Sequence, residues 1–365
     1  MNVLQSFGPV LATAGPALVQ PAPYWLLTAL HWLTFTLHLV AMNLLFGLLL
    51  VLLLARRHAT VRLLEETAIK IFPVAMAATI TLGVAPLLFT QVVYGEFFYA
   101  ATIISGWNWF LQIPVVMVVY YLLYIVALRK NLSAGVRRGL LAAVAVGFVY
   151  ISYTFTMISD LAEKPALWAG LYRSSPEGGS LNPHVAETIC RWGHSIAGAV
   201  AVAGIMILWF ALFHPQLKGR TDLLALGGRV FVVAAVKATI LSLIYLALID
   251  RTVLGRYLES PALHALVTAI VLNVAAGVLA WRVRHAARPL GHVLAASGLV
   301  FLGVACMVAA RHHLRLVYLR DAFDPAVLAV IPQWGPLAMF LVTFVIGLVV
   351  LYWMLRRFFS APHPA

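Results

Sequence analysis

Nine stretches of this chain are apolar over a length that crosses a hydrocarbon core of about 30 Å, near residues 24 to 54, 69 to 94, 103 to 128, 138 to 160, 187 to 213, 223 to 250, 259 to 281, 290 to 312 and 333 to 355. In lipid the backbone has to satisfy its own hydrogen bonds, and helices do this within one segment. The expected architecture is therefore all-α: an integral membrane helical bundle of about nine transmembrane helices. It forms one transmembrane domain over residues 1–365, with an outer segment 1–23, spans one to three over 24–128, spans four to seven over 138–281, and spans eight and nine over 290–355. Composition agrees, since 63% of the residues are hydrophobic, only 10% are charged, and the mean hydropathy is +0.97.

The formal charge of +13 is spread in short clusters between apolar runs, which is how a multi-pass protein marks its loops. No nucleic-acid partner is expected from it. The loops after spans one, three, five and seven, with the C-terminal tail, carry fourteen Lys and Arg, among them Arg56, Arg57, Arg137 and Arg138; the opposite side carries eight and most of the acids. The N-terminus is expected outside and the C-terminus in the cytoplasm of a bacterial inner (plasma) membrane. The first segment lacks the basic start of a cleavable signal, so span one is expected to be retained.

Cys190 and Cys306 lie beside or within apolar runs and read as small buried hydrophobes. Neither starts a C-x-x-C-H sequence, so any heme should be held by ligation alone. Histidine is the informative residue. Threaded by charge, His31, His194, His264, His312 and His313 fall near one outer surface, with His38 deeper, and imidazoles inside a membrane point to metal or heme.

His31 and His38, seven residues apart, share a helix face about 10 Å apart along the axis. His194 lies among Gly193, Ser195, Ala197, Gly198 and Ala199, which leave room beside its ring for a flat macrocycle or a close helix. His264 lies at similar depth on span seven, and the two imidazoles are candidates to hold one iron. His312 and His313 end span eight between Arg311 and Arg315, whose guanidiniums suit heme propionates or simple snorkelling. Lys237, halfway along span six, suggests a proton path or an anionic partner. His58, His184, His214, His285, His292 and His363 fall in loops or at span ends, where solvation is the default.

The nine-span layout resembles subunit I of the cytochrome bd quinol oxidases. His38-Leu39-Val40 through Gly47 is similar to that family's first-helix histidine run, Leu82-Gly83-Val84-Ala85 through Tyr94-Gly95 to its second-helix L-G-V-A run, and His194-Ser195-Ile196-Ala197-Gly198 to its fifth-helix heme-ligand histidine. The resemblance implies His38 as a heme ligand on the first helix and His194 as a ligand of the low-spin heme. The family's second ligand there is a methionine on helix seven, where this chain offers His264. The chain departs elsewhere: Gln91 and Gln112 stand where carboxylates are found in the family, the G-R-Q-P-W run is absent, and the outer loop after span six shrinks to residues 250 to 260.

These features together lead to an expected membrane b-type cytochrome with two or more b hemes, ligated by His38, His194, His264 and His313. It would carry electrons between quinone or quinol and an outer-face redox subunit such as a c-type cytochrome, as the membrane subunit of a quinol-linked oxidoreductase embedded in lipid. Two other classes stand beside it: a bd-like terminal oxidase reducing oxygen, and a heme-free transporter or assembly protein.

Overall fold

The computed structural model describes residues 19–54 and 59–360; Arg56, Arg57, His58, His363 and the first 18 residues lie outside them. Nine helices among the described residues are long and apolar enough to cross a membrane, so the chain is an all-α multi-pass protein. In order they are α1 (Tyr24–Leu54), α2 (Ala59–Ile104), a short α3 (Gly106–Phe110) leading into α4 (Gln112–Leu128), α5 (Ala134–Ala162), a seven-residue α6 (Trp168–Ser174), α7 (Val185–Phe213), α8 (Arg220–Leu248), a short α9 (Arg251–Leu258), α10 (Pro261–Arg282), α11 (Pro289–Leu319) and α12 (Trp334–Ser360).

Helix starts follow local chemistry. Ser133, Asp250 and Ser260 cap α5, α9 and α10 by accepting from the Val136, Thr252 and Ala262 amides, and Pro261 takes the first position of α10, where its missing N–H costs nothing. The expected end of span two near residue 94 is not where the helix stops. Tyr94 has φ −127° and ψ 29°, which kinks α2, and the helix then runs on to Ile104. At 1.5 Å per residue its 46 residues measure about 69 Å, more than twice the hydrocarbon core. The Tyr94-Gly95 pair is thus a bend within one long helix.

The chain forms two compact units. The larger, His31–Phe323, has its apolar core in the half of the helices away from the histidines, around Leu45, Phe46 and Leu49 of α1, Leu208 of α7, Phe231 of α8 and Ala280 of α10. Small residues let these helices meet backbone to backbone. A Cβ on Gly47 would fall on the Ala199 carbonyl, and one on Gly204 would sit 2.6 Å from the Phe231 nitrogen and 2.7 Å from the Gly227 oxygen. The smaller unit comprises the residues up to Leu30 and those from Asp324 onward. It holds α12 and the strands β1 (Val19–Gln20) and β2 (Ala329–Val330), paired in parallel with Gln20 Nε2 donating to the Pro325 carbonyl at 2.9 Å.

Candidate functional site

Hydrogen bonds fix the state of three of the histidines. A carbonyl can only accept, so His194 Nδ1, 3.0 Å from the Ala238 carbonyl of α8, carries the proton and donates it. Ser242 Oγ lies 2.8 Å from the same nitrogen. His38 Nδ1 donates likewise to the Thr79 carbonyl of α2 at 3.0 Å. In both rings Nε2 keeps its lone pair, the tautomer in which metal-binding histidines are usually held by a neighbouring carbonyl. His31 is in the opposite state. Thr90 spends its hydroxyl proton on the Pro86 carbonyl at 2.9 Å and accepts from His31 Nε2 at 3.3 Å.

Gly83 explains part of the Leu82-Gly83-Val84-Ala85 stretch. A Cβ there would lie 2.8 Å from His38 Cε1 and Nδ1, so the imidazole packs flat against α2 only because residue 83 has no side chain. On α1 the predicted stripe is present, and Phe35 stacks on both His31 and His38, with centroids 5.6 and 6.4 Å away.

His194 lines a cavity of about 140 Å³ among α1, α7, α8, α10 and α11. Phe35 and Leu39 form one wall, Tyr245 and Leu266 others, while Met307 brings a thioether and Arg191 and Arg311 bring positive charge. Arg311 is packed over the Phe35 ring at 5.4 Å, and its Nε is buried with no hydrogen-bond partner. Behind the cavity, Arg191 grips Glu163 with two nitrogens at 2.6 and 3.0 Å and also bonds Asp160; Arg315 approaches Glu163 at 3.5 Å. Both carboxylates are 2% exposed. Burial alone would push Glu163 up, but Arg191, with Arg315 and Arg311, holds it below the usual carboxylate range.

Burial of three guanidiniums against two carboxylates leaves this region one positive charge in excess, which favours an anionic occupant of the cavity. No protein-family model matches the sequence, and no curated protein does. A solved structure of bd oxidase from Geobacillus thermodenitrificans does match, with a TM-score of 0.71 over 93% of this chain and 98% of that one at 14% sequence identity. The chain has the bd oxidase fold. In this bd-type frame the remaining expected site residues fall into three groups.

His312 and His313 lie beside Trp32, with centroids 5.4 and 5.8 Å away, and His312 also meets Tyr94 edge-on at 6.2 Å. The two imidazoles meet each other edge-on at 5.5 Å, and Arg315 covers Tyr94 at 4.8 Å. His264 is exposed and does not line the cavity of His194. Leu266 does line it, and residues two apart on a helix point about 200° apart, so position 264 turns outward. Lys237 is also exposed, among the exposed Val233, Val236 and Ile240, so the burial that suggested a proton path or an anionic partner is not found.

Met307, Ser242, Tyr245, Asp160 and Glu163 were not picked out by sequence. For Asp160 and Arg191 a signal existed, because opposite charges inside or at the end of two spans mark a buried pair. Met307, one of nine methionines in an apolar chain, carried none. Cys190 and Cys306 are free thiols of intermediate burial.

Proposed function

We propose that the protein is a membrane b-type cytochrome that exchanges electrons with the quinone pool and passes them to a redox partner, such as a c-type cytochrome, on the face that carries the histidines. The observation that carries this reading is His194, locked with an unprotonated Nε2 on the wall of a cavity that also holds a thioether and an unpartnered guanidinium nitrogen. Imidazole, sulfur, apolar rings and arginine are the chemistry that heme b requires. The donor set fits; at 140 Å³ the cavity is below the size of pockets for drug-sized ligands, so a macrocycle enters with movement of the lining side chains.

Heme, when bound, supplies one-electron chemistry. The chain's own residues bind and position it. His194 and Met307 would hold its iron, with Met307 taking the role first expected of His264, which is exposed and does not line the cavity. Arg311 offers its free Nε to a propionate. Asp160 and Glu163 hold Arg191 one turn from His194. His38 is the proposed ligand of a second heme, because Thr79 fixes it in the ligating tautomer whereas Thr90 commits His31 to the other.

The test is the reduced-minus-oxidised spectrum of the purified protein and its variants. His194→Ala and Met307→Leu should remove or shift the low-spin b band, and His264→Ala should leave it intact. If His264→Ala removed the band while Met307→Leu did not, the pairing would revert to His194 with His264. A wild type without any b band would point to the heme-free class.

One observation favours oxygen reduction as a second reading: His38 has a free lone pair at Nε2 and would hold a heme, while His31 on the same helix face is tied to Thr90 and would not serve as its second protein ligand. Rapid cyanide-sensitive oxygen uptake with quinol would select it. Quinol oxidation that needs an added electron acceptor would select the first.

A further inference from the structure

A second cavity lies away from the histidines, at the opposite end of the helices, where α1 ends and α2 and α5 begin. It measures about 280 Å³. Arg62 of α2 and Arg137 and Arg138 of α5 line it, and none of their side chains makes an ion pair or hydrogen bond among the described residues. Arg137 Nε is buried without a partner, a cost that a ligand accepting a hydrogen bond would remove.

Glu65 and Glu66 also line the cavity, so three guanidiniums face two carboxylates and the site carries one net positive charge. The first residue of α5, Ala134, adds the positive end of a helix to the same wall. Leu52, Leu53 and Leu141 supply its apolar side. A charged end joined to an apolar side, at the membrane boundary that bears most of the basic loops, is the chemistry of an anionic lipid rather than of a soluble anion.

We propose that this cavity binds the phosphodiester of an anionic glycerophospholipid, the arginines holding the phosphate and the leucines the first part of its acyl chains. One phosphodiester charge balances the one net charge of the site. Glu65 and Glu66 keep a more highly charged headgroup out and face the hydroxyls of a glycerol headgroup.

Native mass spectrometry of the full chain in mild detergent tests this, with dioleoyl phosphatidylglycerol and dioleoyl phosphatidylcholine added at equal concentration. The wild type should retain phosphatidylglycerol roughly tenfold more than phosphatidylcholine, and Arg137→Gln/Arg138→Gln should lower that retention roughly thirtyfold, the leverage expected of two arginines on an anionic lipid. Arg62→Gln, on the other helix, should lower it by a smaller factor. Equal retention of the two lipids by the wild type needs no variant and would overturn the proposal. Unchanged phosphatidylglycerol retention in a folded double variant would do the same. If inorganic phosphate at millimolar concentration displaced the lipid fully, the site would be one for free anions and the lipid assignment would fall.

Discussion

Two residues shape the surroundings of the imidazoles, one through its size and one through its charge. Gly83 does so by absence. Gly83→Ala brings a methyl group to 2.8 Å of His38, so the ring has to leave the Thr79 carbonyl or α1 and α2 have to part, at about 1–3 kcal/mol of overpacking. The expected result is loss of the signal assigned to His38 with the His194 signal retained, read by low-temperature spectroscopy. Glu163 acts by charge. Glu163→Gln leaves Arg191 and Arg315 without a carboxylate they share, at a cost of about 3 kcal/mol or more for breaking a buried pair. The sign with pH follows from its lowered pKa: the carboxylate adds stability in full above the unfolded value of about 4.3 and loses it as pH falls toward the lower folded value. Thermal unfolding in detergent should therefore fall steeply below about pH 4 in the wild type and less steeply in Glu163→Gln. Equal slopes would show that Glu163 is not the group responsible.

Helices in this chain are held together by what their small residues leave out. α7 and α8 cross where Gly204 faces the Phe231 nitrogen and the Gly227 carbonyl, and this crossing also sets Ala238 of α8 against His194 of α7. Gly204→Val should separate the two helices, lower the unfolding temperature and disturb the His194 signal together, because one displacement moves both contacts. Gly298→Ala on α11 meets nothing within 4 Å and should change neither, which makes it the control for glycine substitution as such. A Gly204→Val protein with a normal spectrum would mean that the carbonyl of Ala238 is not what orients the ring.

The nine apolar helices and the bd oxidase fold describe a multi-pass membrane protein whose buried Arg191–Asp160 and Arg191–Glu163 ion pairs lie at the end of the helices that bears the histidines. On the proposed reading, electrons enter from quinol and leave through the same end. The expected outcome is reduction of the b signal by a soluble quinol within seconds, abolished in His194→Ala and unaffected in His264→Ala, followed by stopped-flow absorbance. Failure of quinol to reduce a heme that dithionite does reduce would separate heme binding from quinone chemistry and would leave only the first in place.

Much of this was written locally in the sequence. The length of each apolar run determined nine helices, and the seven-residue spacing of His31 and His38 determined the stripe on α1 that Phe35 completes. Rise and rotation per residue are properties of a single helix, so depth and shared faces can be read without neighbours. What no single helix specifies is which face turns inward. That choice places Leu266 in the cavity and His264 outside it, brings Met307 from a distant part of the chain toward His194, closes Asp160 and Glu163 around Arg191, and gives His38 and His31 different hydrogen-bond partners, Thr79 and Thr90. These are contacts between residues far apart in sequence, decided by packing of one helix against several others, and only the tertiary structure contains them.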